Sequence, residues 1–217
     1  MTPLKVLDLF AGLEGWSRPF REAGHEVFSV DWDVKFDVDL HADIRSLRPY
    51  DLPWKPDLVL ASPPCETFSV ASIGTHWTGG HRAYEPKTEA AKQGLEIVEA
   101  TWELLLDLNL PAWVVENPRG VLRKLGIFDM PRTIWYCHYG ETRAKPTDIW
   151  STLPGLKLRP ECHNKRTNHA PDCCCSDHEA APRGAKTGTQ GIGNYADRSL
   201  IPYELANDVR LAAEALL

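Results

Sequence analysis

Two side chains at the ends of separate apolar runs have the types needed for covalent chemistry. Cys65 stands in LASPPCETFS, residues 60 to 69, straight after DLVL. Pro63 and Pro64 fix φ and bias the residues before them toward extended backbone, so the thiol is presented at a strand end on a stiff support. A structural thiol at a rigid turn is the plainer alternative. As a nucleophile, Cys65 needs nearby positive charge or a helix start, because the thiolate is the reactive form. Glu116 closes a second run, WVVENP, ahead of Asn117 and a strand-stopping proline. A glutamate after WVV is a poor residue to bury without a purpose. A cysteine and a carboxylate at neighbouring strand ends suggest covalent attack coupled to proton transfer.

Three further stretches suit a ligand that contains a nucleoside. In DLFAGLEGW, residues 8 to 16, Gly12 and Gly15 permit a tight turn that a ligand can approach closely, although glycine turns close many strand-helix units. In SVDWD, Asp31 ends a strand, where a carboxylate can accept from both ribose hydroxyls, and Trp32 offers a flat face to a purine. The plain alternative is a surface acid beside a half-buried tryptophan. In HADIR, Asp43 is placed to take an exocyclic amine. The chain has no GxGxxG fingerprint and no Walker lysine, which disfavours a pyrophosphate dinucleotide or a nucleoside triphosphate.

These residues need elements to hold them. The runs LKVLDLF (4 to 10), HEVFSVD (25 to 31), PDLVLAS (56 to 62) and AWVVEN (112 to 117) are short and β-branched or leucine-rich, as buried parallel strands are. GWSRPFREAG is helix-sized and closed by Gly24. Ala91, Leu95, Val98, Trp102 and Leu105 recur at steps of three and four and predict a helix within 88 to 108. Its start is placed only loosely, since Thr88 with Ala91 makes no capping box. Alternating strands and helices predict a doubly wound, mostly parallel α/β sheet of Rossmann type, with ligands beyond the carboxyl ends of the strands.

A chain of 217 residues with 43% hydrophobic and 25% charged residues is long enough for one domain with a full core. No stretch has the length of a membrane span, and MTPLKVLDLF runs into a strand without a signal-peptide pattern, so a cytoplasmic protein with reduced cysteines is expected. The net charge of −6 argues against a generally basic nucleic-acid coat but leaves room for a local basic face. Arg119, Arg123, Lys124, Arg132, Arg143 and Lys145 form such a local excess between 118 and 146. SVASIGTHWTGGHRAYEPK, after Cys65, reads as a moving loop in which Arg82 and Lys87 meet phosphates, or as a plain surface loop.

Taken in order, the motifs resemble the cytosine-C5 DNA methyltransferase family. DLFAGLEG looks like its first motif, DWD its second, PPCETFS the catalytic fourth and ENP the sixth, with Pro118 where the family more usually has valine. ETRAKPTDIW is similar to the eighth, and GIGNYADRSLIPYELANDVRLAAEALL to the tenth. The resemblance covers roughly residues 4 to 151 and 186 to 217. It implies S-adenosylmethionine as cofactor, held by Phe10, Ala11, Gly12, Gly15, Asp31, Trp32, Asp43, Pro63 and Asn194. It also implies DNA as partner, with a flipped cytosine attacked by Cys65 at C6. Glu116 would protonate N3 as a neutral acid, and Arg143 would hold the pyrimidine carbonyl and help to orient Glu116, with Lys145 two residues on along the same strand face. The compact size is similar to that of phage-encoded enzymes, which suggests a bacterial or phage-infected host cell and a restriction-modification setting. No membrane association and no obligate protein partner are expected.

The organisation expected is a catalytic and cofactor-binding core at 1–151, a short Cys/His-rich recognition insert at 152–186 and a C-terminal segment, 187–217, that returns to the core. The insert is far shorter than the family's usual recognition domain. It crowds Cys162, His163, His169, Cys173, Cys174, Cys175 and His178 together, and a zinc ion on Cys162, His163, Cys173 and His178 could organise it; a metal-free loop is the alternative. Other readings of the whole chain stay open: transfer of another group from a modified sulfonium cofactor, C5 methylation of RNA or a nucleotide, or an inactive DNA-binding relative. Adenine amino-methyltransferases are disfavoured, since their motif would replace the Cys65 site.

Overall fold

The computed structural model describes residues 2–80, 83–162 and 195–216. Its strands are β1 (Lys5–Leu9), β2 (Glu26–Asp31), β3 (Leu40–His41), β4 (Leu58–Ala61), β5 (Trp77–Thr78), β6 (Glu85–Pro86), β7 (Ala112–Pro118), β8 (Arg132–Trp135) and β9 (Pro146–Ser151). Its helices are α1 (Ser17–Glu22), α2 (Ile73–His76), α3 (Glu89–Leu108), α4 (Tyr195–Ser199) and α5 (Tyr203–Glu214).

Seven strands form one sheet in the order β3-β2-β1-β4-β7-β9-β8. The pairs from β3 through β7 are parallel, while β9 runs antiparallel to both β7 and β8. The β1 and β4 strands lie side by side although β2 and β3 come between them in sequence, and β2 and β3 stack on the far side of β1. That reversal opens a crevice beyond the carboxyl ends of β1 and β4, where ligands of doubly wound sheets bind.

Successive residues of the central strands serve opposite layers. Leu7, Leu9, Val59 and Val115 pack with Val98, Leu105 and Leu108 of α3. Val6, Leu58, Leu60 and Val114 pack with Phe20 of α1 and Leu205 and Val209 of α5. Burial on both faces is why these strands read as unbroken apolar runs. The start of α3 is sharper than its sequence suggests. Thr88 holds extended φ/ψ and its hydroxyl accepts from the Ala91 N–H at 3.3 Å, so a single-sided cap does the work without the reciprocal glutamate. Asn109, at φ 46°, ends the helix in the left-handed region.

The stretch expected as a loop after Cys65 carries more structure than its composition suggested. Trp77 is buried against Phe68, donates to the Thr67 carbonyl at 2.7 Å and starts the β5–β6 hairpin. One large indole anchors a segment that shows no periodicity. Lys87, expected at phosphates, donates to the Gly74 carbonyl at 2.6 Å, and Arg82 lies outside the described residues.

Candidate active site

The turn after β4 presents Cys65 half-buried, with the Phe68 and Ser69 N–H groups both donating to its carbonyl. The neighbouring strand fixes this turn. The Asn117 side-chain amide, wholly buried, donates to the Pro63 carbonyl at 2.9 Å. Beyond it, Gly120 lies so near that a Cβ there would sit 1.9 Å from the Phe68 carbonyl oxygen, which excludes any other residue without a backbone shift. The prolines and the β7 end therefore clamp the Cys65 turn from two sides.

Glu116, 4% exposed, reaches the same place from β7. Tyr136, in the 3-10 turn Tyr136–Tyr139 after β8, donates to Glu116 Oε1 at 2.8 Å. Ser62 gives the carboxylate a second hydrogen bond, and Ser62 Oγ in turn accepts from Trp16 Nε1 at 2.9 Å. Burial outweighs these donors and the Lys145 charge, so the Glu116 carboxyl titrates above the ordinary glutamate range. Burial likewise pushes the Cys65 thiol up to about 12, with Glu116 and Glu66 adding to the shift and Lys145 opposing it. Tyr136 is raised well above the usual phenol range by burial and by Glu116, so it stays a donor. The site as it stands is a protonated thiol beside a carboxyl that favours its neutral form.

Arg143 and Lys145 need correction. Both lie in the loop before β9, not on a strand face, because the backbone turns at Gly140 and Lys145 holds φ 21°. Lys145 stands over the Tyr136 ring at 4.3 Å, donates to the Arg198 carbonyl at 3.0 Å and is the cation that acts on Cys65 and Glu116. Arg143 faces Glu141 at 3.9 Å, and its buried Nε has no hydrogen-bond partner among the described residues. The side chains that hydrogen-bond Glu116 are Tyr136 and Ser62. No motif marked Tyr136; the one sign of it in sequence is a phenol directly after the apolar TIW.

Two adjoining cavities, about 180 and 300 Å³, lie in the crevice beyond β1 and β4. Phe10, Asp31, Trp32 and Pro64 line both. The smaller adds Asp43, Ile44 and Ile97, and the larger adds Ala11, Gly12, Gly15 and Ile201. Phe10 and Gly12 hold φ of 62° and 51°, so the turn after β1 curls its backbone toward the cavities. Both oxygens of Asp31 accept backbone N–H groups, from Gly12 at 3.0 Å and from Asp33 at 2.9 Å. Those bonds aim the carboxylate and leave lone pairs for hydroxyls. Trp32 is 70% exposed, which leaves its ring face open. Asp43 is bound by the Arg45 guanidinium, which holds its carboxyl below the usual range.

Gly15 is required for a reason the motif did not show: a Cβ there would lie 2.8 Å from the Ile201 nitrogen, where the C-terminal segment crosses. Pro63 turns its carbonyl to Asn117, and Pro64 is the proline that lines the cavities. Asn194, His163, Cys173 and His178 lie outside the described residues. Cys162 is buried and stands with Cys137 and His138.

The basic stretch is largely committed internally. Arg123 pairs with buried Asp148 at 3.3 Å, Arg132 donates to the Leu156 carbonyl at 3.3 Å and Lys124 lies over the Tyr84 ring at 5.1 Å. Arg119 is exposed. No described helix is long and apolar enough to cross a membrane.

Comparison with known proteins agrees with this geometry. Residues 4–80 match the C-5 cytosine-specific DNA methylase family, a span that contains the β1 turn, Asp31, Asp43 and Cys65. A frog virus 3 (isolate Goorha) protein named "Probable DNA (cytosine-5)-methyltransferase" is 28% identical over 168 residues, covering 70% of this chain and 72% of that one. The type II methyltransferase M.HaeII of Haemophilus aegyptius is 37% identical over 83 residues, 34% of this chain and 26% of its own length. The structure of the Entamoeba histolytica methyltransferase EhMeth superposes with a TM-score of 0.54 at 12% identity, over 76% of this chain and 58% of that one, which supports the shared fold. Over residues 4–80 the chain is thus similar to the C-5 cytosine-specific DNA methylase family, and over most of its length it is similar to a protein named as a probable DNA (cytosine-5)-methyltransferase.

Proposed function

We propose that this enzyme methylates C5 of a cytosine flipped out of DNA, through a covalent bond from Cys65 to C6. The observation that carries the reading is the convergence of Cys65, Glu116, Tyr136 and Lys145 from four separate segments beside the β1–β4 crevice. The crevice residues fit S-adenosylmethionine: an open indole face, a pre-aimed carboxylate at Asp31 and a second carboxylate at Asp43 surround two joined cavities. When bound, S-adenosylmethionine supplies an electrophilic methyl group.

The protein's own groups do the rest. Cytosine C5 is too weak a nucleophile unaided, and addition of Cys65 to C6 moves electron density onto it. Glu116 donates its carboxyl proton to N3, and the carboxylate so formed accepts the proton that Cys65 must lose. Tyr136 and Ser62 hold the Glu116 carboxyl while that proton moves. Lys145 favours the thiolate and the carboxylate alike. Arg143, whose Nε has no hydrogen-bond partner among the described residues, would meet the pyrimidine carbonyl. After transfer a base removes the C5 proton and Cys65 is eliminated. Exposed Arg119 is available to phosphates, and residues 152–186 form the insert that reads sequence. Of the zinc set expected for that insert from sequence, Cys162 is the member among the described residues. The packing of α5 on α1 supports 187–217 as a segment that returns to the core.

The test is bisulfite or enzymatic methylation sequencing of plasmid DNA from cells that express the protein. Methylated cytosines in one sequence context are expected with the wild type and none with Cys65→Ala. Plasmid DNA free of 5-methylcytosine, from cells that contain folded wild-type protein, would end the reading.

A further inference from the structure

We propose a zinc site on Cys137, His138 and Cys162 that fastens the start of the insert to the turn carrying Tyr136. The ligand atoms of the three residues all lie within 4.8 Å of one another. Two sulfurs and an imidazole nitrogen are the donor set that zinc prefers, and two thiolates with a neutral histidine cancel the ion's charge, which makes burial of the centre feasible. Cys137 and Cys162 are 9% and 5% exposed and sit apart from both main cores, with Trp135 and Ala144 against them. Thiols that merely fill space would be expected within those cores.

The approach of Cys162 is built by contacts that need no metal. The Arg159 N–H donates to Tyr139 Oη at 2.8 Å, and the guanidinium donates to the His138 carbonyl at 2.6 Å and to Asp208 at 3.1 Å while stacking 4.6 Å over the Tyr139 ring. This clasp brings the chain back onto the 3-10 turn Tyr136–Tyr139 three residues before Cys162. A tetrahedral ion takes a fourth donor, which a water molecule would supply. The first residue of the same turn is Tyr136, the donor to Glu116, so the ion would position the base of the insert relative to the catalytic carboxyl. The site differs from a zinc held by the insert's own cysteines in using two residues of the core. It also stands independently of the methyl-transfer reading, because it is tested without catalysis.

The full-length protein, purified without a histidine tag and with zinc in the growth medium, should contain about one equivalent of zinc by mass spectrometry of the metal. Cys137→Ser, Cys162→Ser and His138→Ala should each fall below about 0.2 equivalent. Cobalt(II) in place of zinc in the wild type should give a thiolate charge-transfer band that each cysteine variant diminishes. Should those variants not fold, the wild type still decides: peptide mapping after iodoacetamide should show Cys137 and Cys162 protected in the metal-loaded protein and alkylated after chelation. Zinc retained in the Cys137→Ser/Cys162→Ser double variant would return the ion to the insert's other cysteines and overturn the site. So would wild-type protein without zinc, a Cys137–Cys162 disulfide, or protection that persists after chelation.

Discussion

Tyr136 and Glu116 are joined by a hydrogen bond of 2.8 Å in which the phenol donates to a carboxyl 4% exposed to solvent. The bond lowers the Glu116 pKa while burial raises it, and burial prevails. In the proposed reaction Tyr136 would thus keep Glu116 from holding too tightly the proton that goes to N3. Tyr136→Phe removes a hydrogen bond to a group that becomes charged, a loss of roughly 1.5 to 3 kcal/mol, so kcat should fall about ten- to a hundredfold. The Glu116 pKa should rise further, which moves the alkaline limb of the rate profile to higher pH. A profile with an unmoved limb would reduce Tyr136 to a packing residue.

In the proposed reaction Glu116 is the acid, so its pKa would set where activity is lost. The folded pKa is raised, and the proton needed for N3 is present below it and lost as pH rises through it. The single-turnover rate should therefore decline toward alkaline pH. Glu116→Gln should be slower by at least about a hundredfold and should lack that decline, since an amide has no such proton to lose. The measurement is burst-phase methylation of a synthetic duplex across the pH range.

Cys65→Ser preserves shape but replaces a thiol with a hydroxyl far harder to ionise, so methylation should drop by several orders of magnitude while cofactor binding survives. A duplex with 5-fluorocytosine at the target adds the covalent readout, because fluorine cannot leave as a proton. Wild-type protein with S-adenosylmethionine should give an adduct that survives denaturation, and Cys65→Ala none. An adduct formed by Cys65→Ala would move the nucleophile elsewhere.

Asp31→Ala should weaken S-adenosylmethionine binding by roughly 1.5 to 3 kcal/mol, read by titration calorimetry. The Gly12 and Asp33 N–H groups also lose their acceptor, so the turn itself loosens and thermal stability should fall with it. Asp31→Asn keeps an acceptor for one of those two amides, so its loss of thermal stability should be smaller than that of Asp31→Ala. Unchanged affinity in both variants would remove Asp31 from the cofactor site.

Asp8, wholly buried near the end of β1 and bonded by the Ser17 hydroxyl, is raised from 3.8 to about 7 by burial. A folded pKa above the unfolded one means the folded state holds the proton longer. Its contribution to stability is complete below about pH 4 and is lost as pH rises to about 7. Asp8→Asn, which cannot titrate, should flatten the pH dependence of the denaturation midpoint over that window. An unchanged slope would show that Asp8 is not the titrating group.

The amino-acid sequence by itself determined the local parts. The four runs fold as strands β1, β2, β4 and β7 within a residue or two of the spans read from them, because strands buried on both faces must be apolar throughout. The resemblance to the family was legible for a related reason: the PPC turn and the glycine turn after β1 are built from contiguous residues. What crosses between segments was not. Tyr136 reaches Glu116 only because β9 turns antiparallel to β7 and brings β8 beyond it, a pairing no period in the sequence encodes. Lys145 takes its place beside the thiol because the chain loops before β9, where a strand had been expected. Gly15 is fixed by Ile201 across most of the chain, and Cys162 meets Cys137 and His138 only after Arg159 folds its segment back. Local propensity and burial period act over a few residues and so are written in contiguous stretches. Contacts of long sequence separation depend on how whole elements pack, and only the tertiary structure decides them.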